Sequence, residues 1–250
     1  MNLELKARSR AREIRNELGL GDGPIKDIFG LIESLDILLF KKPFDSESLS
    51  ALFMKNNQNY IIVINSNKTL GHQIYSAAHE LSHYFFDKEI KGGICNVSND
   101  YNEIEVMANK FAEHFLMPDE AIIKELDRRL ADKECVDIFD IIYLQHFFYV
   151  SWKAILVKLE KLGYIKDKNE FKSVGIRALT KNLGYDESLV NISSEKYVSK
   201  KYLEMTLKCY HNEEISEKKF NEYLNDVDLS IGDISLNWNN EDEKEDFMYE

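Results

Sequence analysis

Apolar residues in the first half of the chain follow a strand pattern that gives way to a helical one. Strands are predicted over 36–41, 49–55 and 60–65, with an asparagine-rich hairpin turn between the last two. From Leu70 to Asp87 apolar residues recur at steps of three and four, which indicates a helix with one buried stripe. Another helix is predicted from Glu103 to Pro118, where small residues allow close helix packing.

Helices are also predicted on both sides of this segment. The opening helix is expected to end near Gly19, and Asp22-Gly23-Pro24 predicts a second helix with proline in its first turn. Beyond Pro118 the periodicity predicts helices over 119–131, 137–147, 151–162, 194–210 and 216–227. The pair at 137–147 and 151–162 has the spacing of a helix-turn-helix.

The sequence His79-Glu80-Leu81-Ser82-His83 is an H-E-x-x-H motif inside the helix predicted from Leu70. Residues four apart lie about 40° from each other around an α-helix, so both imidazoles can reach one metal ion while Glu80 projects beside them. Catalytic zinc usually takes three protein ligands and leaves its fourth position to water. The motif therefore predicts a zinc site with Glu80 as general base, and it leaves one ligand to be found.

A third ligand is expected on the helix that begins at Glu103. Glu105 stands near its start, and the 21 residues between it and His83 are enough chain to cross a loop and return alongside the first helix. Glu103 and Glu113 compete with it, but Glu103 lies about 200° from Glu105 around the helix, so the two cannot both face the metal. Asn109, one turn further on, is predicted to hydrogen-bond a ligand histidine from outside the ligand set.

The combination of H-E-L-S-H, E-V-M-A-N-K-F-A and F-L-M-P resembles the ImmA/IrrE family of metallopeptidases. The resemblance runs from about Ile14 to Pro118 and continues more weakly to about Ile165. Many members carry a second acidic residue just before the Ala-Asn pair, where this chain has Met107. That difference favours Glu105 as the ligand, since no adjacent carboxylate can replace it.

The resemblance implies a bound zinc ion, a general base and a protein substrate. The zinc ligands would be His79, His83 and Glu105, and the base would be Glu80. Members typically cut a helix-turn-helix transcriptional repressor and so relieve repression of stress or mobile-element genes. A repressor of this kind is therefore the expected partner.

Together these observations predict an α+β fold with three parts. Residues 1–131 are expected to form a zincin-like metallopeptidase domain, in which a small antiparallel sheet floors a cleft beside the H-E-x-x-H helix and the glutamate helix. Residues 132–165 are expected to form a helix-turn-helix-like helical module. Residues 166–250 are expected to form a helical C-terminal extension with an acidic tail.

Composition favours a soluble protein of the cytoplasm. Hydrophobic residues make up 44% of the 250 residues, enough to bury a core. No apolar stretch approaches about 18 residues and the N-terminus lacks a signal-peptide core, so no membrane contact is expected. The three cysteines are an odd, widely spaced set that fits a reducing compartment. A net charge of -12 argues against direct nucleic-acid binding.

Some alternatives stay open at this stage. The metal could brace a non-catalytic interaction or sensor protein, or a toxin-antitoxin component, and the helix pair at 137–162 could bind DNA despite having few basic residues. Tyr101, His72 and His114 are candidates by residue type for the donor that stabilises the oxyanion. Cys95 lies between the two metal helices, where a thiolate could occupy the open metal position.

Overall fold

An α+β arrangement of helices around one mixed sheet makes up most of the chain. The computed structural model describes residues 2–56, 59–87, 103–130 and 135–234, together with the backbone of 92–96. Contacts between residues divide the chain into two units, Met1–Ser199 and Lys200–Glu250. The α+β class predicted from the sequence is confirmed.

The first unit contains both α-helices and β-strands. The helices are α1 (Leu3–Glu17), α2 (Ile28–Ser34), α3 (Leu70–Phe86), α4 (Glu103–Leu116), α5 (Asp119–Arg129), α6 (Ile138–Phe147), α7 (Trp152–Lys161) and α8 (Ile176–Asn182). The strands are β1 (Leu38–Lys42), β2 (Leu49–Asn56), β3 (Asn59–Asn65), β4 (Gly92–Asn96) and β5 (Tyr197–Val198). Within the described residues, no helix combines the length and hydrophobicity needed to cross a bilayer.

The five strands form a mixed sheet in the order β4-β2-β3-β1-β5. β1 runs parallel to β3, with Leu39 opposite Ile62, whereas every other neighbouring pair is antiparallel. The prediction of an antiparallel sheet is therefore wrong for one pairing. The reason lies in two reversals of the chain: β2 runs opposite to β1 after the connection at 43–48, and the hairpin then turns β3 back into the direction of β1.

Asn65, at the end of β3, fixes the connection that crosses from β1 to β2. Its buried amide oxygen accepts a hydrogen bond from the backbone N–H of Phe44 at 3.0 Å. Its amide nitrogen donates to the carbonyl oxygens of Phe44, Ser46 and Leu49 at 3.3, 3.4 and 2.8 Å. Buried polar groups are expensive unless they are paired, and this one side chain pairs several of them at once.

The structure corrects three other sequence expectations. β4 lies in a segment expected to be a loop, and β5 lies inside the helix expected over 194–210, which begins only at Lys200 as α9 (Lys200–His211). Neither strand shows an alternating pattern, because β4 starts with two glycines and β5 has only two residues. The helix expected to carry Pro24 in its first turn begins at Ile28, because the Asp27 side chain caps it there.

Helix α3 packs against β2, β3 and α4. Its stripe of Ala77, Ala78 and Leu81 is fully buried, as the periodicity predicted. On α4, Ala108 and Ala112 are also fully buried, and such small side chains let two helices approach closely. This close packing brings α4 beside the motif-bearing part of α3.

The turn between α6 and α7 rests on the start of α3. A Cβ on Gly71 would lie 2.8 Å from the backbone nitrogen of Ser151 and 3.0 Å from the carbonyl carbon of Val150, so any side chain there would collide with backbone. Both predicted helices are present, and their buried residues share one core with α3 and the sheet. The domain boundaries predicted after residues 131 and 165 stay predictions.

The described part of the second unit is a helix pair. α9 is followed by α10 (Glu217–Asp226), whose first turn is capped by the Ser216 side chain. The rings of Tyr210 and Phe220 stack with their centroids 4.4 Å apart, and Phe220 and Leu224 are buried. These contacts hold the two helices together.

Candidate metal centre

Two histidines project from α3 toward one point. His79 is 1% exposed and His83 is 3% exposed, and their Nε2 atoms lie 3.2 Å apart. Both imidazoles are buried because this part of α3 is enclosed on all sides: every residue from Ser76 to His83 is buried. The H-E-x-x-H motif therefore has the helical geometry that its spacing requires.

Glu105, in the first turn of α4, brings a carboxylate to the same point. Its Oε2 lies 3.1 Å from His79 Nε2, and its Oε1 lies 3.7 Å from His83 Nε2. One donor atom from each of the three residues can be chosen so that all lie within 4.8 Å of one another. Of the two competing glutamates, Glu103 is exposed, and Glu113 pairs with lysines of α7.

Two oxygen acceptors orient the histidine rings. His79 Nδ1 donates to the side-chain oxygen of Asn109 at 3.0 Å, the contact predicted from the sequence. His83 Nδ1 donates to a carboxylate oxygen of Asp87 at 2.9 Å. With their Nδ1 hydrogens occupied in this way, both rings turn their Nε2 lone pairs toward Glu105.

The role of Asp87 as a partner of His83 was not predicted, although its position in the sequence could have indicated it. It stands four residues after His83 at the end of α3, so the two side chains share a helix face. Tyr75 was also missed. Its hydroxyl donates to the backbone carbonyl of Asn109 at 2.9 Å and so ties α3 to α4 beside the residue that orients His79.

The chemistry and spacing of these donors fit a metal ion. Donor atoms of a tetrahedral site with metal–ligand distances of about 2.0–2.1 Å lie about 3.3–3.4 Å apart. The two Nε2 atoms, 3.2 Å apart, and the 3.1 Å between His79 Nε2 and Glu105 Oε2 are close to that value, and the other carboxylate oxygen, Oε1, lies 3.7 Å from His83 Nε2. Two imidazoles and one carboxylate are also a donor set typical of a catalytic metal site with an open fourth position.

The electrostatics of the site favour a cation as well. Burial of the imidazole works to lower the pKa of His83, but the hydrogen bond to Asp87 and the charges of Glu80 and Glu105 outweigh it and raise that pKa above its ordinary value. The same negative charges that stabilise a proton on His83 would stabilise a metal ion in its place. Glu80, which follows His79 in the motif, is itself fully buried.

The remaining sequence candidates lie elsewhere or outside the described residues. His72 Nε2 is 2.9 Å from the hydroxyl of Ser50, and His114 Nε2 is 2.8 Å from a carboxylate oxygen of Glu4 on α1. Neither histidine belongs to the three-residue donor group. Tyr101 and the side chain of Cys95 fall outside the described residues.

Comparison with known families identifies the chain. The model of a peptidase family described as the IrrE N-terminal-like domain matches residues 32–160, just over half of the 250 residues. The matched range includes both α3 and α4, so it covers all three donor residues. No curated protein matches the chain. A metallopeptidase family implies a bound metal, for which His79, His83 and Glu105 are the candidate ligands. The resemblance in the motifs is thus confirmed, and the chain belongs to the IrrE N-terminal-like family of metallopeptidases.

Proposed function

We propose that this protein is a zinc-dependent endopeptidase that cleaves a helix-turn-helix transcriptional repressor. The observation that carries the proposal is the meeting of His79, His83 and Glu105 at one point, within a chain of a peptidase family. Nitrogen and carboxylate donors in a compact group suit zinc better than magnesium or calcium, which prefer six or more oxygen ligands.

His79, His83 and Glu105 would hold the zinc ion, and Glu80 would act as the general base. When bound, zinc supplies a Lewis acid that lowers the pKa of water and polarises a scissile carbonyl. The Glu80 carboxylate takes a proton from the attacking water and returns it to the nitrogen of the leaving amine. Asn109 and Asp87 keep the ligand imidazoles in the tautomer whose Nε2 is free of a proton.

The sheet edge offers a way to hold an extended substrate. β4 is the terminal strand of the sheet, and within the described residues its one strand neighbour is β2. Its other edge can pair with an extended peptide by strand addition, in which main-chain hydrogen bonds supply affinity for many sequences. This supports a protein substrate that presents a loop or linker at the cleavage site.

The proposed substrate is a helix-turn-helix repressor, and cleavage would relieve repression of stress or mobile-element genes. The family resemblance supports this class, and so does charge. Proteins that bind DNA carry basic surfaces, and a chain with a net charge of -12 attracts them over distances of about a Debye length.

The test is cleavage of a small helix-turn-helix protein encoded beside this gene. The zinc-loaded protein should cut it at one or a few positions, which mass spectrometry of the products would locate. Chelation should stop cleavage, and zinc added back should restore it. A repressor that is bound yet stays intact with one zinc per chain would instead favour the alternative, a zinc-braced interaction or sensor protein or a toxin-antitoxin component.

A further inference from the structure

A cavity of about 180 Å³ lies where the start of α3 meets α4 and the start of α7. Its lining comes from three helices and the turn before α7. The residues are His72 and Tyr75 of α3, Glu113 of α4, and Ser151, Lys153, Ala154 and Val157. The proposed catalytic residues are not among these lining residues, so the cavity is a separate feature of the first unit.

The cavity lies along the helix face that carries the metal ligands. His72 and His79 are seven residues apart, close to two full turns, so they point the same way from α3. Seven residues of α-helix rise about 10 Å. An extended peptide advances about 3.3 Å per residue, so a side chain about three residues from the scissile bond would reach the level of His72.

Hydrogen bonds already made by the wall leave the cavity largely apolar. The Tyr75 hydroxyl donates to the Asn109 carbonyl, and His72 Nε2 is engaged with the Ser50 hydroxyl. The Ser151 hydroxyl caps α7 by accepting from the Ala154 N–H. The surface that these residues present to a ligand therefore consists mainly of the ring faces of His72 and Tyr75 and the methyl groups of Ala154 and Val157.

The charged groups at the wall do not require an ionic occupant. The Glu113 carboxylate is already paired with Lys158 and Lys161, and Lys153 is exposed to solvent. Burial, together with Lys68 and Lys153, lowers the pKa of His72, so its ring is neutral near pH 7. By size, a cavity of about 150 Å³ holds a benzene ring, so this one can hold a leucine, methionine or phenylalanine side chain.

We propose that this cavity is a specificity pocket that takes an apolar side chain of the protein substrate, about three residues from the scissile bond. The inference rests on the proposed endopeptidase function and adds a sequence preference to it. Val157 and Ala154 of α7 line the pocket. The helix-turn-helix-like pair α6 and α7 thereby contributes to substrate selection by the peptidase unit.

The test is a cleavage-site profile of the full-length, zinc-loaded protein on a library of tryptic peptides from a cell lysate, with the products sequenced by mass spectrometry. The wild type should prefer leucine, methionine or phenylalanine over alanine by about tenfold at one position, two to four residues from the cut. Val157→Phe fills the pocket and should shift that position to small residues. Val157→Ala deepens it and should admit larger ones.

The matched control is Ile123→Phe, which adds the same side chain on α5, where Ile123 is 38% exposed and does not line the cavity. It should keep the wild-type profile. Cleavage by the wild type with no preference at any of these positions, or the same profile from wild type and both Val157 variants, would overturn the pocket and leave the peptidase intact. Absence of cleavage by the zinc-loaded wild type would refute the peptidase function and the pocket with it.

Discussion

Replacing Asp87 should weaken zinc binding without removing a ligand. Its carboxylate accepts the Nδ1 hydrogen of His83 at 2.9 Å, and the His83 side chain is 3% exposed while that of Asp87 is 18% exposed. A hydrogen bond to a charged group is worth about 1.5–3 kcal/mol, and loss of such a partner of a metal-bound histidine typically costs about 10–100-fold in metal affinity. Because Asp87 keeps some contact with water, we expect the lower part of that range for Asp87→Ala.

The assay is competition for zinc against a coloured chelator, at about pH 8. A pH well above the ordinary histidine pKa is chosen because the surroundings raise the pKa of His83, and a proton on this ring would compete with the metal. Asp87→Asn keeps an oxygen acceptor and should fall between wild type and Asp87→Ala. Asp127→Asn, an exposed change on α5, is the control and should bind zinc like the wild type. Equal affinities of wild type and Asp87→Ala would refute the orienting role.

Three further predictions concern the third ligand, a helix contact and a half-buried charge. Glu105→Gln should lower the zinc retained after dialysis, measured by atomic emission, whereas the same change at the exposed Glu103 should retain the wild-type content. Gly71→Ala should destabilise the protein by about 1–3 kcal/mol in urea unfolding because of the collision with the α6–α7 turn. Gly23→Ala, which meets no atom within 4 Å, should change stability by about 0.5 kcal/mol or less. Hydrogen bonds to a histidine and a lysine hold the pKa of the Asp119 carboxyl below its usual range. The ionised carboxylate therefore stabilises the folded protein fully above the unfolded pKa of about 4, and this contribution disappears as the pH falls further. The stability difference between wild type and Asp119→Asn in metal-free protein should therefore narrow below about pH 4, and a constant difference would contradict this pairing.

Local patterns predicted the parts of the site that lie on one element. The histidines of the motif share a helix face because four residues make slightly more than one turn, and the same rule could have found Asp87. The angle around the helix shows that Glu105 and Glu103 cannot both be ligands, but the meeting of Glu105 with His79 depends on how α3 and α4 pack. The resemblance to known metallopeptidases implied that Glu105 meets the two histidines.

Interactions between distant parts of the chain could not be predicted in this way. Lys158 is one of the few basic residues of α7, yet its side chain is 1% exposed and its Nζ lies 2.5 Å from a carboxylate oxygen of Asp119 on α5. The parallel pairing of β1 with β3 follows from the direction of the connection between β1 and β2, which Asn65 holds by hydrogen bonds, and β5 joins the sheet from 155 residues beyond β1. β5 is too short, at two residues, to show an alternating pattern. Its conformation is determined by pairing with β1 rather than by local preference.

Glu80 is proposed to act as the base beside a zinc ion held by His79, His83 and Glu105. The most direct measurement is the rate at which Glu80→Gln cleaves the repressor, compared with wild type at equal zinc content. Because the amide cannot accept the proton from water, we expect one zinc per chain in both proteins and a rate lower by about 10²–10⁴-fold in the variant. A variant that binds zinc and cleaves as fast as the wild type would contradict the mechanism.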